Sequence, residues 1–458
     1  MSAVSPARKA ASDVLLSVIA ERAFATPLLA SERISSLSRE DRGLTNELVL
    51  GVLRWQRQLD FLIERYSNRA LEKIDLKVLI ALRLAIYQLR FLTRIPAHAA
   101  INEAVNLVRD QKLKSAAPFA NAVLRAAQRE QKTSIRSMLD EQDTLTSEAI
   151  EVSLPEWLVR RWKKRFGDVE ARELAIALNQ TPRVAFRFNA TKKPVADTTE
   201  WLKSSGIEFV QSDIAKSAFV VTSGSISGES EPVREGWLYL QDESSQLAGL
   251  LAGSLVRTDD ERINFLDLCA APGSKSTLIA SILGENSLVV CCDLYGHRLR
   301  SLKSIAARLG ARNIYPLVID ASKPLAFRPD AFDAVLVDAP CSGLGTLARH
   351  PEIKWRLEEF ELERLAHLQS ALLENAALTL KSGGILTYSV CSTEPEEGEE
   401  VIARFRASHT EFRDVTRERL VELGLDPQAL LTSDFGARTF THRHGSESFF
   451  FCVLWKRR

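Results

Sequence analysis

The sequence predicts an α/β protein. Its back half reads as a Rossmann-like, mostly parallel sheet, preceded by an all-helical domain and a small α/β module. Three observations carry this prediction. From Arg8 to about Gln131 apolar residues recur at helical spacing and strand-like alternation is absent. After Trp237 apolar runs alternate with helical patterns to the end of the chain, the order expected of a doubly wound sheet. Ile263–Leu268 is an apolar run that ends in a turn with Pro272 and Gly273, where a helical pattern begins. Strand, Gly-containing turn and helix start form the first unit of a nucleotide-type fold, with backbone N–H groups facing a ligand.

Taken in order, residues 1–140 form the helical domain. Leu79, Leu82, Ile86 and Leu89 share one helix face, as do Ile101, Ala104, Val105 and Val108, while Pro27, Pro96 and Pro118 sit near helix boundaries. Residues 131–153 are polar with few apolar anchors and read as a link. The module spans 141–235: a basic amphipathic helix at Glu156–Phe166, strand-like stretches at 184–189 and 218–222, and a helix holding Trp201 and Leu202. Residues 236–458 complete the chain, with strands expected at 263–268, 287–293, 313–319, 332–338, 384–390 and from Ser448. Helices are expected at 275–283, 296–309, 356–380 and 397–407.

At 458 residues two or three domains are expected. No uncharged apolar run reaches the roughly 18 residues of a membrane span, so no membrane partner is expected. Six cysteines without paired spacing point to a reducing compartment, the cytoplasm. The net charge of +1 conceals an asymmetry: residues 1–140 hold 22 Lys and Arg against 14 Asp and Glu, and residues 157–203 hold 11 against 5. A polyanion fits the front half, with a solvated Arg-rich helical surface as the plain alternative.

Ligands of such sheets bind at the carboxyl ends of the strands. That rule gathers Cys269–Lys275, Asp293, Asp320, Asp338–Cys341 and Ser389–Thr393 on one edge. Asp293, 20 residues after Gly273, suits ribose hydroxyls, or else a helix cap. Asp320 suits the exocyclic amine of an adenine. A phosphate-loop NTPase is excluded because Ser274 and Cys269 stand where that motif needs glycines, and the spaced dinucleotide glycines are missing as well. The sharper signal is a pair of thiols, Cys341 and Cys391, at adjacent strand ends. A thiolate adds readily to carbon 6 of cytosine, making carbon 5 nucleophilic toward a sulfonium methyl. A carboxylic acid such as Asp338 would stabilise charge at the ring nitrogen. The residues alone leave open which thiol attacks. Cys291, Cys292 and Cys452 lie within apolar strands and read as core.

The segments Asp267-Leu-Cys-Ala-Ala-Pro-Gly-Ser-Lys-Ser-Thr, Asp338-Ala-Pro-Cys-Ser-Gly-Leu-Gly and Tyr388-Ser-Val-Cys-Ser-Thr resemble the signatures of RsmB-type RNA cytosine-5 methyltransferases. Asp41-Arg-Gly-Leu-Thr-Asn-Glu-Leu-Val and Phe119-Ala-Asn-Ala-Val-Leu-Arg are similar to a NusB-like RNA-binding domain, and Leu154-Pro-Glu-Trp-Leu with Arg187-Phe-Asn to the linking module of the same proteins. The resemblance covers nearly the whole chain and implies methylation of a cytosine in 16S rRNA, or a small-subunit precursor, by a monomer without metal. It implies Cys391 as the nucleophile, Cys341 as the thiol assisting product release, and Asp338 touching both base and cofactor. It also implies S-adenosylmethionine as the cofactor, contacted by Cys269, Ala270, Ala271, Pro272, Gly273, Ser274, Lys275, Asp293, Asp320 and Asp338; Lys275 can also reach the base. Arg54, Arg57 and Lys112 are candidate phosphate contacts.

Two departures from the pattern bear on the site. Ser274 replaces a second loop glycine, and if that position needs positive φ the strain is roughly 1 kcal/mol. Residues 438–450 lack the expected Pro and Asp-Gly, and His442 and His444 alone do not make a metal site. The competing function is a non-catalytic RNA-binding assembly or antitermination factor, against which both thiols argue.

Overall fold

The computed structural model describes residues 4–139, 144–254, 262–432 and 434–457. The boundary expected at 140/141 lies outside the described residues. The chain divides into two compact units, Met1–Thr181 with Leu347–Glu359, and Pro182–Thr346 with Phe360–Arg458.

The first unit is helical. Its longer helices are Pro6–Ala20, Arg39–Arg54, Gln56–Ser67, Leu76–Phe91, Ala97–Asp110, Ala117–Arg129 and Glu156–Leu178. Local chemistry sets their starts. Ser38 Oγ accepts from the Asp41 amide, Asp75 accepts from the Lys77 amide at 2.8 Å, and Pro6 and Pro118 stand in first turns where no N–H is needed. Leu76–Phe91 is the central helix: Val78 through Gln88 are all buried, which is why its sequence is apolar around the whole circumference. Leu79, Leu82 and Ile86 lie in the core as the spacing predicts, with Leu89 half-buried.

The stretch read as a link is more structured than expected. Ile135 and Met138 join the helical core, and Thr144–Glu151 is a helix that buries Ala149 and Ile150. Four apolar anchors spread over 16 residues are too sparse to register as periodicity, yet they suffice for docking. The basic helix also runs on past Phe166 to Leu178, through a kink at Gly167.

Leu347–Glu359 was expected within the sheet domain but packs in the helical unit. Lys354, 1% exposed, donates from Nζ to Arg54 O at 3.1 Å, Ser153 O at 3.3 Å and Asn179 Oδ1 at 2.5 Å. Trp355 Nε1 donates to Leu53 O at 2.7 Å, and Glu352 Oε1 accepts from the Ala25 amide at 2.9 Å.

The second unit contains two sheets. The smaller is antiparallel, from β1 (Ala185–Phe188), β2 (Glu208–Gln211), β3 (Phe219–Ser223) and β4 (Leu238–Leu240), in the order β2-β3-β1-β4. Phe186, Phe188, Phe209 and Phe219 pack ring against ring to form its apolar face.

The larger sheet comprises β5 (Asn264–Asp267), β6 (Leu288–Asp293), β7 (Ile314–Val318), β8 (Phe332–Asp338), β9 (Leu380–Val390), β10 (Phe412–Asp414), β11 (Ala437–Arg438) and β12 (Phe450–Lys456). Its order is β10-β12-β9-β8-β5-β6-β7, with β11 paired to β12. The five strands from β7 through β6, β5 and β8 to β9 are parallel; β12 pairs antiparallel with β9, and β10 antiparallel with β12. Strand order reverses at β5, because β6 and β7 build outward on one side and β8 and β9 on the other. The crevice at such a switch point is where a doubly wound sheet holds its ligand.

Candidate active site

The parallel register brings the two thiols together. Asp338, the last residue of β8, pairs with Ser389 of β9. Cys341 therefore leaves the sheet three residues after one partner, and Cys391 two residues after the other, from the same edge. Their sulfurs lie 3.2 Å apart and both residues are half-buried. The hydrogen bond to Cys391, then burial, pushes the Cys341 thiol well above its ordinary range. Either sulfur can be the donor of the bond between them.

Beside the thiols stands a charged pair. Lys275 Nζ is 2.8 Å from Asp338 Oδ2, and Ser389 Oγ donates to Asp338 Oδ1 at 2.7 Å. Burial opposes the charged form of Lys275, but the Asp338 carboxylate outweighs it and the ammonium pKa is raised. The ammonium also lies 5.1 Å from the centre of the Phe449 ring.

The loop from Cys269 to Ser274 is tightly determined. Gly273 has φ +111°, and a Cβ there would approach Leu302 Cγ to 2.9 Å. Ser274 is the first residue of the helix Ser274–Leu283 and does not share the positive φ. The strain foreseen at Ser274 is absent, because the left-handed residue of this loop is Gly273. Arg298 Nη2 donates to Ala271 O at 2.9 Å and its Nη1 is 3.3 Å from Asp293 Oδ2, tying the loop to the end of β6. Asp293 Oδ1 also accepts from the Tyr295 amide at 2.9 Å, a turn that precedes the helix Gly296–Leu309; the N-cap of that helix is Tyr295, without a side-chain cap bond. Ala270 and Ala271 are buried, Pro272 is exposed, and burial raises the Cys269 thiol well above its usual value. Asp320 lies two residues past β7; hydrogen bonds from Ser322 Oγ at 2.6 Å and its amide hold its carboxyl below the usual range.

The chain matches the family model described as 16S rRNA methyltransferase RsmB/F over residues 253–455, the NusB family over 5–129, and an RsmF/B-like ferredoxin-like domain over 154–226. It is 34% identical to the probable ribosomal RNA small subunit methyltransferase B of Bacillus subtilis (strain 168), across 98% of each chain. The chain belongs to the ribosomal RNA small subunit methyltransferase B family. A second member, from Pseudomonas syringae pv. tomato, is 30% identical over 98% of this chain and 96% of its own. Among solved structures, PH0851 shares the fold with a TM-score of 0.80 at 24% identity, covering 99% of this chain and all of that one. A methyltransferase homologue protein from Pyrococcus horikoshii covers 69% of this chain and all of its own, with a TM-score of 0.56 at 24% identity.

Members of this methyltransferase family use S-adenosylmethionine. The residues present fit that donor. Gly273 makes a cradle that a Cβ would fill, Asp267 Oδ1 is buried beneath the loop without a partner, and Asp293 ends the next strand. Among the described residues no group of three or more His, Cys, Asp or Glu side chains could hold a metal ion, and no helix is long and apolar enough to cross a membrane.

Two of the three arginine and lysine candidates in the helical unit are engaged elsewhere. Arg54 is 5% exposed and donates to Ala348 O at 2.9 Å, and Arg57 is paired with Glu156. Lys112 is exposed.

Sequence reasoning gave no role to Arg438 or Glu397. Arg438 is buried and paired with Glu399, while Nη1 donates to Ser392 O at 2.7 Å and Nη2 to Glu394 O at 3.0 Å. It pins the backbone just after Cys391. The signal that could have found them is the acidic run Glu394–Glu400 directly after a cysteine motif, which otherwise reads as solvated surface.

Proposed function

We propose that this enzyme methylates carbon 5 of a cytosine in 16S rRNA, through a covalent bond between Cys391 and carbon 6 of the base. The observation that carries the reading is the thiol pair: two sulfurs 3.2 Å apart beside an Asp338–Lys275 pair. Methylation at a nitrogen or a ribose oxygen needs no such pair.

The family resemblance supports Cys391 as the attacking thiol, with the Cys341 sulfur 3.2 Å from its own. Attack forms the S–C6 bond and moves the C5=C6 electron pair onto carbon 5. Asp338, held by Ser389 and Lys275, faces the base, and Lys275 supplies the proton that offsets charge developing at the ring nitrogen. S-adenosylmethionine, when bound by the loop from Cys269 to Lys275 with Asp293, Asp320 and Asp338, supplies the methyl group. Release requires loss of the carbon-5 proton, re-formation of C5=C6 and breakage of the C6–S bond. Cys341, in its thiolate form, would take the carbon-5 proton as C5=C6 re-forms and Cys391 leaves as a thiolate.

A base must leave its stack to reach these sulfurs, which suits a single-stranded or loop cytosine. We assign residues 1–140 to RNA positioning, 141–235 to a linking module and 236–458 to the methyltransferase domain. Mapping 5-methylcytosine in rRNA from cells with and without the protein tests the reading. One 16S position should lose its methyl group in the deletion and regain it with the intact gene but not with Cys391→Ala. An unchanged methylation map would overturn it.

A further inference from the structure

Glu397 is fully buried, yet its carboxylate has no salt-bridge partner among the described residues. Its charge is balanced by four converging donors. Oε1 accepts from the Ser342 amide at 2.8 Å and from Gln369 Nε2 at 3.0 Å. Oε2 accepts from Ser342 Oγ and from Ser392 Oγ, each at 2.5 Å. Ser342 directly follows Cys341, and Ser392 directly follows Cys391. One carboxylate therefore grips the residue after each thiol.

The grip extends to both sides of Cys341, because Gln369 Nε2 also donates to Pro340 O at 3.1 Å. Glu397 is itself fixed to the sheet, since Tyr388 Oη of β9 donates to its backbone carbonyl at 2.6 Å. Burying a carboxylate is costly unless donors saturate it. An apolar side chain would fill the space without that cost but would hold neither serine. Four donors meeting at one carboxylate admit a single relative position of the two loops.

We propose that Glu397 is a positioning residue that sets the distance between Cys341 and Cys391 by clamping Ser342 and Ser392 together. This rests on the reading of Cys391 as the attacking thiol and Cys341 as the release thiol. Attack needs Cys391 alone, whereas release needs Cys341 at the adduct. Loosening the clamp therefore slows release more than attack, and the covalent RNA adduct accumulates.

The test compares full-length wild type, Glu397→Ala, Glu397→Gln and Cys341→Ala with 16S rRNA and S-adenosylmethionine. Glu397→Ala should lose about 100-fold in turnover, the usual consequence of a displacement near 1 Å. Its first methyl transfer should fall far less, with accumulation of a denaturation-resistant RNA adduct as in Cys341→Ala. Glutamine keeps two accepting bonds and can donate to the two hydroxyls, so Glu397→Gln should stay within about fivefold of wild type, one hydrogen bond's worth. A second arm omits RNA and follows the bridging of Cys341 to Cys391 by dibromobimane, which should slow in Glu397→Ala and not in Glu397→Gln. If Glu397→Ala does not fold, Ser342→Ala with Ser392→Ala removes two of the side-chain donors and carries the same test.

The proposal is overturned if Glu397→Ala bridges its thiols at the wild-type rate, or if it loses attack and release equally. Absence of adduct in Cys341→Ala would instead refute the assignment of the thiols. The bridging arm would still report on the clamp.

Discussion

Gly345→Ala is a small change placed where the two thiol loops touch. The Gly345 amide donates to Cys391 O at 3.0 Å, and its carbonyl accepts from the Ser448 amide at 3.0 Å. A Cβ on Gly345 would stand 1.8 Å from Ser448 O, 2.8 Å from Ser448 C and 3.0 Å from Cys391 O. All three are backbone atoms, so no rotamer change relieves the clash. Restoring even 3.0 Å to the closest of them requires a shift of at least about 1.2 Å. Overpacking of this kind costs about 1–3 kcal/mol. Weakening two buried hydrogen bonds adds about 1 kcal/mol each. A loss of about 3–5 kcal/mol lowers the melting temperature by roughly 6–20 °C in a unit of this size. The chemistry suffers separately, since a shift near 1 Å between reacting groups costs about 100-fold. Thermal unfolding and single-turnover methyl transfer to rRNA measure the two effects. A Gly345→Ala protein that melts and turns over like the wild type would refute the packing of the Cys341 loop against Cys391.

Two predictions concern pH and have opposite signs. Burial raises the Asp267 carboxyl from 3.8 to about 7, against the opposing hydrogen bond from Ser276. A raised folded pKa gives stability that is present below the unfolded value and lost as pH rises through the folded one. Across that window the wild type should therefore lose up to about 4 kcal/mol relative to Asp267→Asn. Denaturant unfolding at pH 5 and pH 7.5 checks this, and a constant difference would contradict it. Burial, reinforced by nearby Arg54, holds the Lys354 ammonium well below its ordinary range. Here the unfolded state binds the extra proton, so helical-unit stability rises with pH above the folded pKa, up to the unfolded value near 10.4. Lys354→Met should abolish that rise, and should also cost stability at neutral pH by stranding Arg54 O, Ser153 O and Asn179 Oδ1. Thermal melts of the two proteins from pH 7 to 10 test it, and parallel pH profiles would count against the lowered Lys354 pKa.

What could be read in advance was local in the chain. Six of the eight strands of the larger sheet, the helical front and the two cysteine loops each announce themselves within a dozen residues, by apolar periodicity and a turn; β10 and β11, three and two residues long, do not. The parallel order then fixes which loops share an edge, so Cys341, Cys391, Asp338 and Lys275 were nameable together. What escaped was set by partners distant in sequence. Lys354 was given no role, because its acceptors, Arg54, Ser153 and Asn179, lie at least 175 residues away. Arg54 and Arg57 looked like phosphate ligands because exposure depends on packing that no periodicity encodes. Glu397 sat in an acidic run that composition assigns to solvent. Ser274 raised a concern about φ that the backbone resolves by giving the left-handed conformation to Gly273.

The central claim is that Cys391 bonds covalently to the base and Cys341 helps to release it. The direct measurement is denaturing electrophoresis of the protein after incubation with 16S rRNA and S-adenosylmethionine. Cys341→Ala should trap an RNA-linked band that survives denaturation, while Cys391→Ala and the double variant should show none. A trapped band in Cys391→Ala, or none in Cys341→Ala under conditions where the wild type methylates, would contradict the account.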